Sequence, residues 1–259
     1  MLKEERRSEI LMELNEKKVI KALELANKYN VGIETIRRDL DYLEQIGKVK
    51  KVYGGAELIE EHLQEVKNYS ERLTISVDEK IELVEKAMKM IKDGDSISLN
   101  DGSTTLFLAK TLKKEFNKLT ILTNSIDIAQ EVSDKKEFKI ILTGGIFSHE
   151  ERAFFGPCAE SIIDNFIIDK AFIGISGISL ENGVTDISVS EANIQKKIIE
   201  NSKELYILID SSKIEKDSLV KVCPLEKVKV LISDSKIDKK ILELYKKNNI
   251  TILWEIKQP

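Results

Sequence analysis

Two groups of residues in this 259-residue chain have the types and spacing to do chemistry. The first opens with Asn100-Asp101-Gly102-Ser103-Thr104-Thr105. Gly102 lets backbone approach a ligand closely, and Ser103 to Thr105 offer N–H groups and hydroxyls at a helix start. Such a turn is an anion cradle, suited to phosphate. Thr123-Asn124, Thr143-Gly144-Gly145, Gly174-Ile-Ser-Gly177, Gly183-Val-Thr185 and Asp210-Ser-Ser-Lys213 are built from the same residue types. Lys213 supplies positive charge for the same anion. Asp101, Asn124, Asp186, Glu191 and Asp210 suit the hydroxyls of a polyol. Any one of these stretches is also an ordinary capped turn after a strand. Several of them on one edge of one sheet argue for a binding site.

The second group is Val31 to Leu43. Val31, Ile36, Leu40 and Leu43 fall at helical spacing and form one apolar stripe. Thr35, Arg37, Arg38 and Asp41 point elsewhere. Gly32 serves as N-cap, and Gly47 stands where a C′ glycine ends the helix. Guanidinium groups on the outer face serve both DNA phosphates and the guanine edge. Taken alone, this is also an ordinary surface helix, and its surroundings decide.

Those surroundings supply the positioning elements. Residues Glu4 to Asn15 carry Ile10, Leu11 and Leu14 in helical register. Lys17-Lys18 break the pattern, and a second helix buries Ala22, Leu23, Leu25, Ala26 and Tyr29 before Asn30 closes it. Helix, short turn and helix make a helix-turn-helix. Lys48 to Gly55 then reads as a small two-stranded wing, with Lys48, Lys50 and Lys51 outward. Between Arg37 and Lys51 lie five basic and three acidic residues, a local excess where a DNA backbone would pass. Residues 57–76 read either as a partly helical connector whose apolar positions dock on the second domain or, equally, as a solvated linker.

From Val77 the pattern alternates. Strands are expected at Ser96–Leu99, Leu119–Leu122, Phe138–Leu142, Lys170–Ile175, Leu205–Ile209, Val228–Ser233 and Ile250–Trp254, with helices between. Alternation of this kind builds a parallel sheet covered on both faces. Ligands bind such sheets beyond the carboxyl ends of the strands, where the strand order reverses.

Composition sets bounds. The formal net charge of −4 makes any basic surface a local one. Cys158 and Cys223 are too far apart in sequence for a disulfide framework, and with only His62 and His149 no metal ligands are expected. The amino terminus lacks an apolar signal core and no run reaches transmembrane length, so a cytoplasmic protein is expected, without a membrane partner.

Glu5-Arg-Arg, Thr35-Ile-Arg-Arg-Asp-Leu and Tyr53-Gly-Gly-Ala together resemble the DeoR family of bacterial transcriptional regulators. The resemblance continues through Asn-Asp-Gly-Ser-Thr-Thr, Thr-Gly-Gly, Phe155-Gly-Pro, Asp169-Lys-Ala-Phe, Glu191-Ala and Asp210-Ser-Ser-Lys. It implies an α/β protein with a winged helix-turn-helix over residues 1–56, a connector over 57–76, and an effector domain over 77–259. The implied effector-domain fold is that of ribose-5-phosphate isomerase. The implied effector is a phosphorylated sugar, with no cofactor, and the implied partner is double-stranded operator DNA. Thr35, Arg37, Arg38, Lys48, Lys50 and Lys51 are the expected DNA contacts. Helix-turn-helix proteins commonly pair two half-sites, so a homo-oligomer is expected.

The chain departs from the family pattern at four places. Gly32 replaces a capping Ser, and Asn100 replaces an Asp. Gln195-Lys196 replaces Lys-Arg, leaving Lys196 as the basic pocket residue. The related isomerases carry Gly-Ala-Asp-Glu where this chain has Ile175-Ser176-Gly177-Ile178. Isomerisation needs a base near the carbon-bound proton, and that loop holds no carboxylate. The reading is therefore a repressor switched by a sugar phosphate and not an enzyme. Its rivals are a sugar-phosphate isomerase or hydrolase with an appended DNA-binding module, and an activator with no small ligand.

Overall fold

The computed structural model describes residues 3–17, 19–45, 49–52, 54–58 and 68–255. Gly47, Lys48 and Tyr53 lie outside the described residues, as does 59–67 of the connector. The chain divides into two compact units, Met1–His62 and Leu63–Pro259.

In the first unit, helices α1 (Lys3–Lys17), α2 (Ala22–Tyr29) and α3 (Ile33–Gln45) accompany strands β1 (Val19–Lys21), β2 (Val49–Val52) and β3 (Gly55–Leu58). Ile10, Leu14, Ile20, Leu25, Ile36, Leu40, Leu43 and Val49 form its core. Asn30, at φ 51°, ends α2 in the left-handed conformation that asparagine tolerates. Gly32 accepts the N–H of Thr35 at 2.8 Å, as an N-cap carbonyl should. The wing has three strands in the order β1-β3-β2, one more than expected. The extra strand β1 is three residues long, too short to show a period. A Cβ on Gly55 would stand 1.9 Å from the Ile20 carbonyl oxygen, so glycine is what lets β3 approach β1. Glu57 and Leu58, read with the connector, are residues of β3.

The second unit starts with α4 (Tyr69–Thr74), capped by a reciprocal Asn68–Glu71 pair. It continues through α5 (Val77–Met88), β4 (Ser96–Leu99), α6 (Ser103–Glu115), β5 (Thr120–Thr123), α7 (Ile126–Val132) and β6 (Lys139–Leu142). A hairpin of β7 (Ile146–Ser148) and β8 (Ala153–Phe155) precedes α8 (Pro157–Ile163) and β9 (Ile168–Gly174). Then come β10 (Gly177–Ser179), β11 (Gly183–Asp186), α9 (Val189–Glu200), β12 (Ser202–Leu208) and β13 (Val220–Cys223). Strand β14 (Val230–Ile232), α10 (Lys239–Lys247) and β15 (Ile252–Leu253) complete it.

Seven strands form one parallel sheet in the order β15-β14-β12-β9-β4-β5-β6. They are the seven strands expected from the alternation. Each face carries a core. Ile97, Leu99, Ile121, Phe172 and Leu208 pack with Leu83 of α5, Leu108 of α6 and Ile128 of α7. Ala171, Ile173, Ile207 and Leu231 pack with Ile163 of α8, Ile198 of α9 and Tyr245 of α10. Alternate residues of β9 thus serve opposite faces. The hairpin β7-β8 and the antiparallel sheet β10-β11-β13 were not expected. From β4 the chain lays β5 and β6 to one side, then returns to place β9 and β12 on the other. The strand order therefore reverses between β4 and β9.

Candidate functional site

Helix α3 buries Ile36, Leu40 and Leu43 and turns Arg37 and Arg38 to solvent, while Thr35 is half-buried. Arg37 pairs with Glu34 one turn earlier. Asp39, beside these arginines in sequence, faces inward and is 1% exposed. Its two oxygens accept from Arg6 Nε at 2.7 Å and Arg7 Nε at 2.8 Å. Arg7 also lies over the Tyr42 ring, 3.7 Å from its centre. The Arg-Arg of α1 and the Asp of α3 are therefore one structural clamp, which sequence reading did not separate from the solvent-facing Arg37–Arg38 pair. In the wing, Lys50 pairs across the strands with Glu57 at 3.2 Å, and Lys51 with Asp41 of α3. The Lys51 N–H donates to Glu44 at 2.9 Å, fastening wing to helix. Lys50 and Lys51 are exposed, and surface pairs of this kind are weak enough to yield to a phosphate. Lys48 lies outside the described residues.

The second site stands at the carboxyl ends of β4 and β9. Asn100 bridges them: Nδ2 donates to the Gly174 carbonyl and Oδ1 accepts the Gly174 N–H, each at 2.9 Å. Only an amide both donates and accepts here, so the replacement of the family Asp has a structural reason. Thr105 Oγ1 donates to the Asn100 carbonyl at 2.7 Å, closing the turn around Gly102. Thr123 Oγ1 accepts the Ser125 N–H at 3.1 Å, and Thr185 Oγ1 accepts the Ser218 N–H at 2.9 Å. A Cβ on Gly145 would meet the Phe155 carbonyl at 2.7 Å, and one on Gly177 the Lys216 carbonyl at 2.4 Å. The polar groups of Asn100, Thr105, Thr123 and Thr185, and the bareness of Gly145 and Gly177, are engaged by the fold. Gly144, at φ 63°, has open space around it.

Ser103 and Thr104 begin α6 behind Gly102, which offers no side-chain cap. The first N–H groups of the helix are therefore left without a side-chain cap. Lys213 Nζ reaches the Ile175 carbonyl at 3.4 Å and Asp210 Oδ2 at 3.4 Å. The Asp210–Lys213 turn is held by Asp234, which accepts from the Ser211 N–H at 2.6 Å and its hydroxyl at 2.9 Å. Two further cations stand in this region. Arg72 of α4 pairs with Glu151, and Lys80 of α5 is 6% exposed. Lys80 donates only to carbonyls among the described residues, those of Arg72 and Ile75. Burial first, then the positive charge of Lys213, pulls its pKa down to about 8. Both residues precede the first strand of the sheet, and no motif pointed to them. Lys196 is half-buried on α9.

Carboxylates gather beside these cations. Asn124 accepts the Asp101 N–H at 3.0 Å and donates to Asp101 Oδ1 at 2.7 Å. Asp186 Oδ1 accepts from Ser176 at 3.0 Å, and its Oδ2 from Gln195 at 2.6 Å. The loop after β9 has no carboxylate of its own, as its sequence says, and β11 brings Asp186 to it. Burial and mutual repulsion lift the pKa values of Asp101 and Glu191 well above the ordinary carboxylate range. No helix among the described residues is long and apolar enough to cross a membrane.

A winged helix-turn-helix joined in one chain to an α/β unit with polar loops at the carboxyl ends of its strands is the build of a DNA-binding transcriptional regulator. The model of the DeoR-like helix-turn-helix domain matches residues 6–62, and that of the DeoR C-terminal sensor domain matches residues 75–235. The chain belongs to the DeoR family. It is 35% identical over 238 residues to the HTH-type transcriptional regulator YulB of Bacillus subtilis, covering 92% of this chain and 91% of that one. It is 32% identical over 253 residues to the repressor GlcR of the same organism, covering 98% and 96%. The lactose phosphotransferase system repressor of Streptococcus mutans is 31% identical over 252 residues, covering 96% and 99%. Among solved structures, ribose 5-phosphate isomerase A of Methanocaldococcus jannaschii is 20% identical with a TM-score of 0.40, covering 54% of this chain and 55% of that one. So slight a likeness carries no argument about function.

Proposed function

We propose that the protein represses a sugar-metabolism operon in the cytoplasm and that a phosphorylated sugar changes its hold on operator DNA. The observation that carries this is the set of groups at the carboxyl ends of the strands where the strand order reverses. There the bare N-terminus of α6, Lys213 and the buried Lys80 are collected on one unit. A dianionic phosphate relieves the repulsion between Lys80 and Lys213 and receives charge-assisted hydrogen bonds from both. Ser103 and Thr104 hold the phosphate in this reading, with Asp101, Asn124 and Glu191 on the hydroxyls and Arg72 at the rim. The relatives named as repressors of lactose and aga systems support the sugar reading. On the DNA side, Arg37 and Arg38 read the major groove, and Lys50 and Lys51 take phosphates. The working species is a homodimer or larger.

The test is a gel shift with the DNA upstream of its own gene, titrated with aldose and ketose phosphates and their unphosphorylated sugars. Release or tightening by one phosphate ester, and not by its neutral sugar, is the expected result. A response to the neutral sugar at equal concentration rejects the phosphate reading. The gathered carboxylates favour a second reading, sugar-phosphate isomerisation, which turnover of the same esters without DNA would establish.

A further inference from the structure

We propose that Asp101, Glu151 and Glu191 form a binding site for one hard divalent cation of the calcium, manganese or magnesium class. The three carboxylates come from the loop after β4, the turn between β7 and β8, and the first turn of α9. One oxygen of each lies within 4.8 Å of the others. Oxygens on opposite sides of a calcium ion stand about 4.6–5.2 Å apart, and around magnesium about 4.0–4.2 Å. Three oxygens spread around one calcium ion stand about 4.0–4.5 Å apart, so a cluster held within 4.8 Å closes on such an ion with a small adjustment.

These oxygens are largely unspent. Among the described residues, Asp101 Oδ1 accepts from Asn124 and Glu151 Oε2 from Arg72, and neither oxygen of Glu191 accepts a hydrogen bond. Asp101 is 3% exposed, and its Oδ2 is buried without a partner. An independent orphan lies one helical turn beyond Glu191. Gln195 is 1% exposed, its Nε2 is committed to Asp186, and its Oε1 is buried without a partner. Buried acceptors in that number call for a donor or a cation. Among the three carboxylates Arg72 pairs with Glu151 alone. A divalent ion meets all three at once. The donor set is all oxygen, which selects hard cations over zinc or copper.

The site does not rest on the effector reading, so its test uses neither sugar nor DNA. The full chain is stripped with a chelator and titrated with manganese, free ion being read by electron paramagnetic resonance. One saturable manganese per chain is expected, displaced by calcium or magnesium. Glu191→Gln and Glu151→Gln should each weaken uptake by about tenfold or more, since affinity at such sites follows ligand charge. Glu150→Gln, at an exposed neighbour, should leave uptake unchanged, and circular dichroism checks the fold of all three variants. Absence of saturable uptake of all three ions up to about 10 mM, beyond even weak extracellular calcium sites, overturns the proposal. So does wild-type uptake in both folded variants at the cluster.

Discussion

Asp39 and Arg38 are neighbours in sequence with opposite duties. Asp39 is buried against Arg6 and Arg7, so Asp39→Ala leaves two nearly buried guanidinium groups unpaired. Breaking one partner out of a buried ion pair costs about 3–5 kcal/mol, to be read as a lowered urea midpoint of the first unit. Arg38→Ala should leave that midpoint within about 0.5 kcal/mol and cost about 1–3 kcal/mol in operator binding if Arg38 reads a base edge. Equal stability losses for the two would merge their roles. Asn100 offers a second test. Asn100→Asp restores the residue usual in the family but removes the Nδ2 donor to Gly174, leaving a half-buried carbonyl unmet. A loss of about 1–3 kcal/mol is expected from such an orphan, measured by thermal unfolding of the full chain. An unchanged midpoint would mean the strap between β4 and β9 is dispensable. At this scale the sequence showed which residue types mattered but not which way each side chain faced. Thr105, Thr123 and Thr185 carry the same chemistry as Ser103 and Thr104, and only tertiary packing tells capping from binding.

At the scale of elements, periodicity was enough for the long pieces. The parallel strands carry apolar residues on both faces, as in Ala171, Phe172 and Ile173 of β9, because both faces are covered. What escaped are the antiparallel strands β1, β7, β8, β10, β11 and β13. Each is three or four residues long and lies outside the strand–helix alternation that marks the parallel strands, five of which are no longer. Their signal is the glycine at the close approach, visible in sequence only as a turn residue. Gly55 shows the consequence. Gly55→Ala drives a Cβ into the Ile20 carbonyl and should break the β1–β3 pairing. The overpacking cost is about 1–3 kcal/mol, with faster amide exchange at Ile20 and Ala56 as its signature. Unchanged protection there would show that the wing can shift to accept the methyl group. The carboxylate cluster escaped for a related reason. Positions 101, 151 and 191 share no spacing, and a hairpin that periodicity cannot detect delivers the middle one.

For the whole molecule, a net charge of −4 is compatible with DNA binding only if the cations are concentrated on one face. In the proposed reading Arg37, Arg38, Lys50 and Lys51 are that concentration. Removing one phosphate contact should flatten the log–log salt slope of operator binding by about 0.9. Two half-sites about one helical turn apart require two recognition helices. Light scattering at concentrations that saturate the operator should therefore report a dimer or larger, and a monomer would contradict that reading. Switching is an energetic demand on both units. Moving from mostly bound to mostly free asks the effector to prefer one state by about 5.5 kcal/mol, because a ligand shifts an equilibrium only by its differential affinity. Bonds from Lys80, Lys213 and the α6 N-terminus to a dianion are the interactions here able to supply much of it. The most direct measurement is operator binding by wild type and Lys213→Ala, each with and without the sugar phosphate that switches the wild type. The expected result is near-normal operator affinity in the variant with the response abolished. A variant that still responds at wild-type effector concentrations, or one that loses operator binding outright, would contradict Lys213 as the phosphate's partner in the switch.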